Sequence, residues 1–310
     1  MPLVPINEMM DHARQNGYAV GYFESWDIAS MEGVLDAAEQ TRSPVIVGFN
    51  GEFLSNANPD KLHRLKMYGA MGRAAAESAR VPCAFVFNEC PRDSWVTYAT
   101  QVGFNLVMLA DENAGQAEIT RRVADVVKIS HARGVAVEAE LGLLPSGIGN
   151  NTQADNSFTE PDMAAEFVQE TGVDLLAVSI GNVHIMLEGQ CDLNLDYLEA
   201  IRRKVNVPLV LHGGSGITSN SIAQTISMGI TKVNYGTYIK QRCLAALRRA
   251  LDLDNANPHQ LLGDGSDADI LIVTRNAVRN AVLERIEILG CCGRALATES
   301  RKCVCEPNVR

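Results

Sequence analysis

Eight short apolar, β-prone runs recur along the 310 residues, each followed by a stretch of helical period. This alternation restricts the fold more than any other feature of the chain. The runs are YAVGYF (18–23), PVIVGF (44–49), CAFVFN (83–88), LVMLA (106–110), VAVEAE (135–140), LLAVSI (175–180), PLVLH (208–212) and KVNY (232–235). Runs this short, apolar on both faces and bounded by Gly, Pro or polar residues, are expected of parallel strands buried on both sides. The intervening segments 27–41, 112–134, 159–172 and 219–229 carry apolar residues at helical spacing. Thr159 and Ser219 read as helix starts, and Gly134, Gly172 and Gly229 as stops before the next strand. Eight strand–helix units over roughly 240 residues predict an α/β fold of the (β/α)8 barrel type. An open doubly wound sheet is the rival, but no GxGxxG follows the first strand. Segment 269–290 reads as a C-terminal helical extension over the barrel. Residues 1–290 are thus expected to form one domain, with 291–310 a cysteine-containing tail.

Composition narrows the partners. Lys+Arg 27 against Asp+Glu 37 gives a formal charge of −10, and no basic run suggests a groove for a phosphate backbone, so nucleic acid is not an expected partner. No segment approaches the roughly 20 apolar residues of a membrane span, and MPLVPINEMMDHARQ lacks a signal-peptide h-region. The expected location is therefore cytoplasmic, where structural disulfides are disfavoured. Cys83, Cys90, Cys191 and Cys243 then read as small buried hydrophobes. Cys291, Cys292, Cys303 and Cys305 lie within 15 residues of one another, and that density allows zinc binding or joint oxidation, although the spacing matches no CxxC pair.

In a (β/α)8 barrel the site is built at the C-terminal ends of the strands. Those ends carry Glu24, Asn50, Asn88 with Glu89, Ala110-Asp111-Glu112, Glu138 with Glu140, Gly181–His184, His212–Ser215 and Asn234–Thr237. Two of the six histidines, His184 and His212, fall on adjacent strands at this end; His12, His63, His131 and His259 read as surface residues. Two imidazoles with Glu89 or Glu140 form a donor set suited to zinc, manganese or another divalent ion, the alternative being a hydrogen-bonded polar network. HGGSGI (212–217) lets backbone N–H groups approach an anion, with Ser215 adding a hydroxyl and Asn234–Thr237 a second wall. A glycine turn needed for geometry alone is the plainer reading of the same residues.

These motifs resemble the class II fructose-bisphosphate and tagatose-bisphosphate aldolases over nearly the whole chain. The anchors are VEAELG (137–142), TGVDLLAVSIGNVH (171–184), VPLVLHGGSGI (207–217) and KVNYGT (232–237). The resemblance implies a divalent metal, usually zinc, that polarises a ketose carbonyl and stabilises an enediolate while a carbon–carbon bond breaks. It carries the second and third metal-binding histidines onto His184 and His212, and the glutamate near the metal onto Glu140. It carries phosphate binding onto Gly213, Gly214, Ser215, Asn234 and Thr237. Where the family has an Asp-His pair, this chain has Asn88-Glu89. Glu89 then replaces a ligand imidazole, and Asn88 occupies the proton-transfer position with an amide, which does not exchange a proton at neutral pH. Ala110 stands for a family Asp, Ile148 for the loop acid and Ile185 for a Gly, and the family's nearby Lys is absent from IMLEG (185–189). The expected function is a divergent metal-dependent carbon–carbon lyase acting on a small phosphorylated ketose or sugar acid, with Glu140 or Glu24 as base. The alternatives are an epimerase, isomerase or decarboxylase on a similar substrate, or a non-catalytic sugar-phosphate-binding protein. A homo-oligomer is implied by the resemblance alone.

Overall fold

The computed structural model describes residues 3–57, 59–142, 144, 158–186, 189–251 and 257–295. Eight parallel strands close into a barrel: β1 Val20–Glu24, β2 Val45–Asn50, β3 Cys83–Cys90, β4 Leu106–Leu109, β5 Ala136–Leu141, β6 Leu175–Val178, β7 Leu209–Leu211 and β8 Ile230–Tyr235. Every expected strand is present in the expected order, and β8 pairs with β1 through Tyr22↔Asn234. The fold is a (β/α)8 barrel, with helices between the strands and a final helix, Ile270–Leu289, outside them.

Side-chain alternation assigns the two faces of each strand. On β1, Gly21 and Phe23 face the helix layer: a Cβ at Gly21 would meet Leu289 of the final helix, and Phe23 stacks on Tyr235. Tyr22 and Glu24 therefore point inward. On β3, Phe85 and Phe87 pack against Phe104, which leaves Val86 and Asn88 facing the interior. Strict alternation would send Glu89 outward. Instead the β3–β4 register slips between Phe87 and Cys90, and Glu89 adopts φ +52°. That bulge turns two successive polar side chains, Asn88 and Glu89, toward the barrel mouth.

The two expected helix starts are corrected. Helix Ser219–Ser227 is capped by Thr218, whose hydroxyl accepts from the Ser221 N–H, so Ser219 is already inside the helix. Helix Pro161–Thr171 begins after Glu160. Thr159 instead accepts from Ser179 N–H and donates to the Leu141 carbonyl, joining the chain after β5 to the end of β6. Gly172 ends its helix in the left-handed conformation, as expected. The final helix packs on helix Ile28–Thr41, where Gly33 leaves room for the Arg275 backbone; a Cβ there would lie 2.5 Å from the Arg275 carbonyl oxygen. Arg275 adds hydrogen bonds of 2.6 and 2.8 Å to Asp36. Cys291 is fully buried, and burial pushes its thiol up to about 12, which suits a core residue better than a metal ligand. Cys292 is exposed, and Cys303 and Cys305 lie outside the described residues.

Candidate active site

The floor of the mouth is a buried polar chain. Lys232 and Glu138 are both fully buried inside the barrel and pair at 2.8 Å. Lys232 Nζ also donates to Asn234 Oδ1 at 2.6 Å. Burial alone would push the Glu138 carboxyl up, but the Lys232 charge and the His212 hydrogen bond outweigh it and hold it low. An ionised Glu138 accepts only, so the 2.9 Å contact from its Oε1 to His212 Nε2 puts a proton on Nε2. The opposite nitrogen, Nδ1, is buried and has no hydrogen-bond partner. Its ion-pair neighbours are Glu140 Oε2 at 2.8 Å and Glu89 Oε1 at 3.3 Å. Burial pulls His212 down, yet Glu140, Glu138 and Glu89 together push it up to about 10. Positive charge, whether a proton or a metal cation, is stabilised at this point.

His184 reaches the same place from the loop after β6, with Nε2 3.3 Å from Glu89 Oε2. Two contacts fix that loop to the end of β7. Asn182, fully buried, accepts from Ile180 N–H and donates to the His212 carbonyl at 3.1 Å. Gly213, at φ +68°, lies so close to the loop that a Cβ would sit 1.9 Å from the Val183 carbonyl oxygen. Only glycine accepts both that conformation and that approach. Glu89 is held from β2: Asn50 Nδ2 donates to its Oε2 at 2.9 Å, while Asn50 Oδ1 accepts from Phe53 N–H. Burial raises Glu89, but His184, His212 and the Asn88 amide outweigh it and hold it well below the usual carboxylate range. Glu89 in turn pushes His184 up to about 9 against its burial.

The donor types, two imidazoles and two carboxylates, are those a divalent cation takes. Two ligand atoms about 2.0–2.1 Å from a tetrahedral metal lie roughly 3.3 Å apart; Glu89 stands 3.3 Å from each imidazole, but through a different oxygen for each, Oε2 to His184 and Oε1 to His212. Once Lys232 has matched Glu138, the carboxylates of Glu89 and Glu140 remain against two imidazoles, so two protons or one divalent ion balance the charge. Among the described residues, no three His, Cys, Asp or Glu side chains already close round one point as a preformed cage; the imidazoles contact the carboxylates directly.

The residues expected to form an anion cradle adjoin this cluster. Gly214 packs tightly on Val233 and Tyr235, and Ser215 Oγ accepts from Tyr238 N–H in the first turn of helix Thr237–Leu251. Asn234 Nδ2 is buried without a partner, a donor left for a ligand. Glu24 closes the β1 side: Lys240 Nζ binds its Oε1 at 2.5 Å, and its Oε2 lies where a Cβ on Gly236 would come within 2.4 Å. Burial raises the Glu24 carboxyl against the opposing charge of Lys240. Asn88 is buried at the same level, and its Oδ1 is also without a partner.

Asn88, Glu89, Glu140, His184, His212, Gly213, Gly214, Ser215, Asn234 and Thr237 thus all lie at the C-terminal mouth. Ile148 lies outside the described residues. Sequence reasoning gave no role to Lys232, Lys240, Asn50, Asn182 or Glu138. The signals were there: Glu138 is two residues before Glu140 and shares its face, and Lys232 is the one charge in a buried strand.

The family model for class II fructose-bisphosphate aldolase matches residues 4–294. The YdjI protein of Escherichia coli strain K12 is 32% identical over 298 residues, spanning 94% of this chain and 99% of its own. The crystal structure described as the YdjI aldolase aligns over 95% of this chain and 100% of that one, with a TM-score of 0.77. The fructose-bisphosphate aldolase structure from Campylobacter jejuni, at 23% identity, shares the fold over 93% of this chain and 94% of that one, with a TM-score of 0.70. On the match across nearly its full length, this chain belongs to the class II fructose-bisphosphate aldolase family.

Proposed function

We propose that the chain is a metal-dependent carbon–carbon lyase acting on a small anionic ketose or sugar acid. One observation carries this reading: Glu138 holds His212 through Nε2, and its other nitrogen, Nδ1, faces the carboxylates of Glu89 and Glu140 at 3.3 and 2.8 Å beside the expected cradle. A divalent ion, zinc or manganese, held by Glu89, His184 and His212 with Glu140 alongside, would supply Lewis-acid polarisation of a carbonyl oxygen. The chain's own residues do the rest. Asn234 Nδ2, the Ser215 hydroxyl and the glycine turn hold the anionic end of the ligand, with Thr237 at the helix start. Asn88 Oδ1 accepts a hydrogen bond from a ligand hydroxyl without taking its proton. Proton movement falls to the carboxyls of Glu140 and Glu24, and burial raises Glu24 toward the range useful for that task.

The test is metal content of the purified protein by mass spectrometry, followed by aldehyde release from ketose phosphates. Wild type should hold about one metal per chain and His212→Ala should hold none. Absence of metal from the wild type would sink this reading. A second reading, an epimerase or isomerase on the same ligand, is favoured by Asn88, because an amide binds a hydroxyl without ionising it. Incubation in deuterated water separates the two: deuterium incorporation without chain cleavage supports the second.

A further inference from the structure

Directly beneath the mouth cluster lies a buried tyrosine with a free hydroxyl. Tyr22 faces the barrel interior two residues before Glu24, as Val86 does before Asn88 and Glu138 before Glu140. Barrel interiors fill in layers drawn from alternate strands, so Tyr22 shares a layer with Val86 and Glu138, just below Glu24, Asn88 and Glu140. The interior of an eight-stranded barrel is only wide enough for side chains to fill, and a tyrosine reaches from the wall toward its middle. The ring is fixed from β8: Lys232 Nζ stands 5.3 Å from its centroid, and Tyr22 pairs in register with Asn234. The hydroxyl is buried, yet among the described residues it has no hydrogen-bond partner.

Volume does not explain that hydroxyl. A phenylalanine would fill the same space and offer Lys232 the same ring, without burying an unmade hydrogen bond. Two further unpartnered atoms border the same interior, Asn88 Oδ1 from β3 and Asn234 Nδ2 from β8. Burial, and then the charges of Glu24, Glu89 and Glu138, push the phenol well above its ordinary value. A phenol held neutral donates a hydrogen bond and keeps its proton.

We propose that the Tyr22 hydroxyl donates a hydrogen bond, from below, to the ligand hydroxyl oxygen whose own proton points to Asn88 Oδ1. This rests on the lyase reading and deepens it by naming a donor for the oxygen beside the bond that breaks. In that step the ligand O–H proton passes to the Glu24 carboxylate. The freed electron pair closes the aldehyde C=O, and the carbon–carbon pair leaves with the carbonyl half as an enediolate. Midway, the oxygen carries negative charge. Asn88 Oδ1 only accepts, so it loses its hydrogen bond as the proton departs. A donor already aimed at that oxygen gains strength instead, and so favours the transition state over the ground state.

Tyr22→Phe removes the hydroxyl and keeps the ring. The variant should hold as much metal as wild type by mass spectrometry. It should also be at least as stable in urea, because the hydroxyl bonds nothing in the protein. Its kcat for aldehyde release from fructose 1-phosphate should fall about 100-fold, with KM within about threefold of wild type. An unchanged kcat or a loss confined to KM overturns the inference. So does a clear loss of stability, which would mark a structural hydroxyl. A wild type that releases no aldehyde sinks the lyase reading, and binding then decides the role of Tyr22. Fructose 1-phosphate carries the hydroxyl in question, and dihydroxyacetone phosphate ends short of it. In calorimetric titration, Tyr22→Phe weakening the first by about threefold or more, with the second unchanged, keeps Tyr22 as a ligand donor. Equal shifts in both, or none, overturn it. Failure of wild type to bind either compound overturns the cradle and the inference together.

Discussion

His212 and Glu89 meet at one point of the barrel mouth but are held there by different means. His212 directly follows β7, whose pairing with β8 slips at Leu209/Val210, and a fully buried ion pair beneath it sets its orientation through Glu138 and Lys232. Glu89 sits in a bulge with left-handed backbone, its carboxylate steadied by the amides of Asn50 and Asn88. The first arrangement stores its precision in electrostatics, where removing a partner leaves a buried charge behind. The second stores it in backbone geometry, where the neighbouring contacts must offset local strain. Damage to the His212 side should therefore unfold the protein, while damage to the Glu89 side should loosen the site and leave the fold standing.

The largest expected effect comes from breaking the buried pair. Lys232→Met strands the Glu138 carboxylate in the barrel interior and should cost about 3–5 kcal/mol in urea unfolding. Adding Glu138→Gln should recover most of that loss, because the neutral amide needs no counter-ion and its oxygen still accepts from His212. A double variant no more stable than Lys232→Met would show that lysine packing, not charge, is what matters. Gly213→Ala ranks next. Its Cβ would enter the Val183 carbonyl, and the αL backbone adds roughly 1–2 kcal/mol. The loop bearing His184 must move away, so metal affinity should fall by about 10–100-fold. Unchanged metal affinity in a folded Gly213→Ala would mean that His184 is not positioned from β7.

How much of this was legible beforehand follows the same division. The eight strands were readable because parallel barrel strands are apolar on both faces, and His184, His212 and the glycine turn because they stand at strand ends. The Lys232–Glu138 pair was not, since its members are 94 residues apart and meet only when the barrel closes. The inward turn of Glu89 was hidden for another reason. FVFNEC read by alternation aims Glu89 at the helices, and the slip that reverses it depends on the register with β4. Thr159 looked like a helix cap because it precedes Pro161, but its hydroxyl is taken by Leu141 and Ser179 from flanking strands. Local chemistry identified which residues were available; closure and register decided what they touch.

On the Glu89 side, Asn50→Ala removes two contacts at once, the amide to Glu89 Oε2 and the acceptor for Phe53 N–H. A lost helix-start acceptor costs about 0.5–2 kcal/mol, well below the loss for Lys232→Met. Metal affinity should nonetheless fall about tenfold, because the carboxylate is no longer oriented. A stability loss as large as that of Lys232→Met would erase the distinction between the two sides.

The smallest effect tests whether the bulge is strained at all. Glu89→Ala and Glu89→Gly both remove the carboxylate and should both abolish tight metal binding. They differ in backbone: at φ +52° alanine retains the left-handed penalty, and glycine does not. In an ordinary strand glycine would be the less stable of the two, by roughly 0.5–1 kcal/mol. Here the order should reverse, with Glu89→Gly more stable than Glu89→Ala by about 1 kcal/mol in chemical denaturation. Equal stabilities, or alanine ahead, would mean that β3 relaxes to regular backbone once the side chain is gone. In that case the contacts of Glu89 make the bulge, rather than the bulge presenting Glu89.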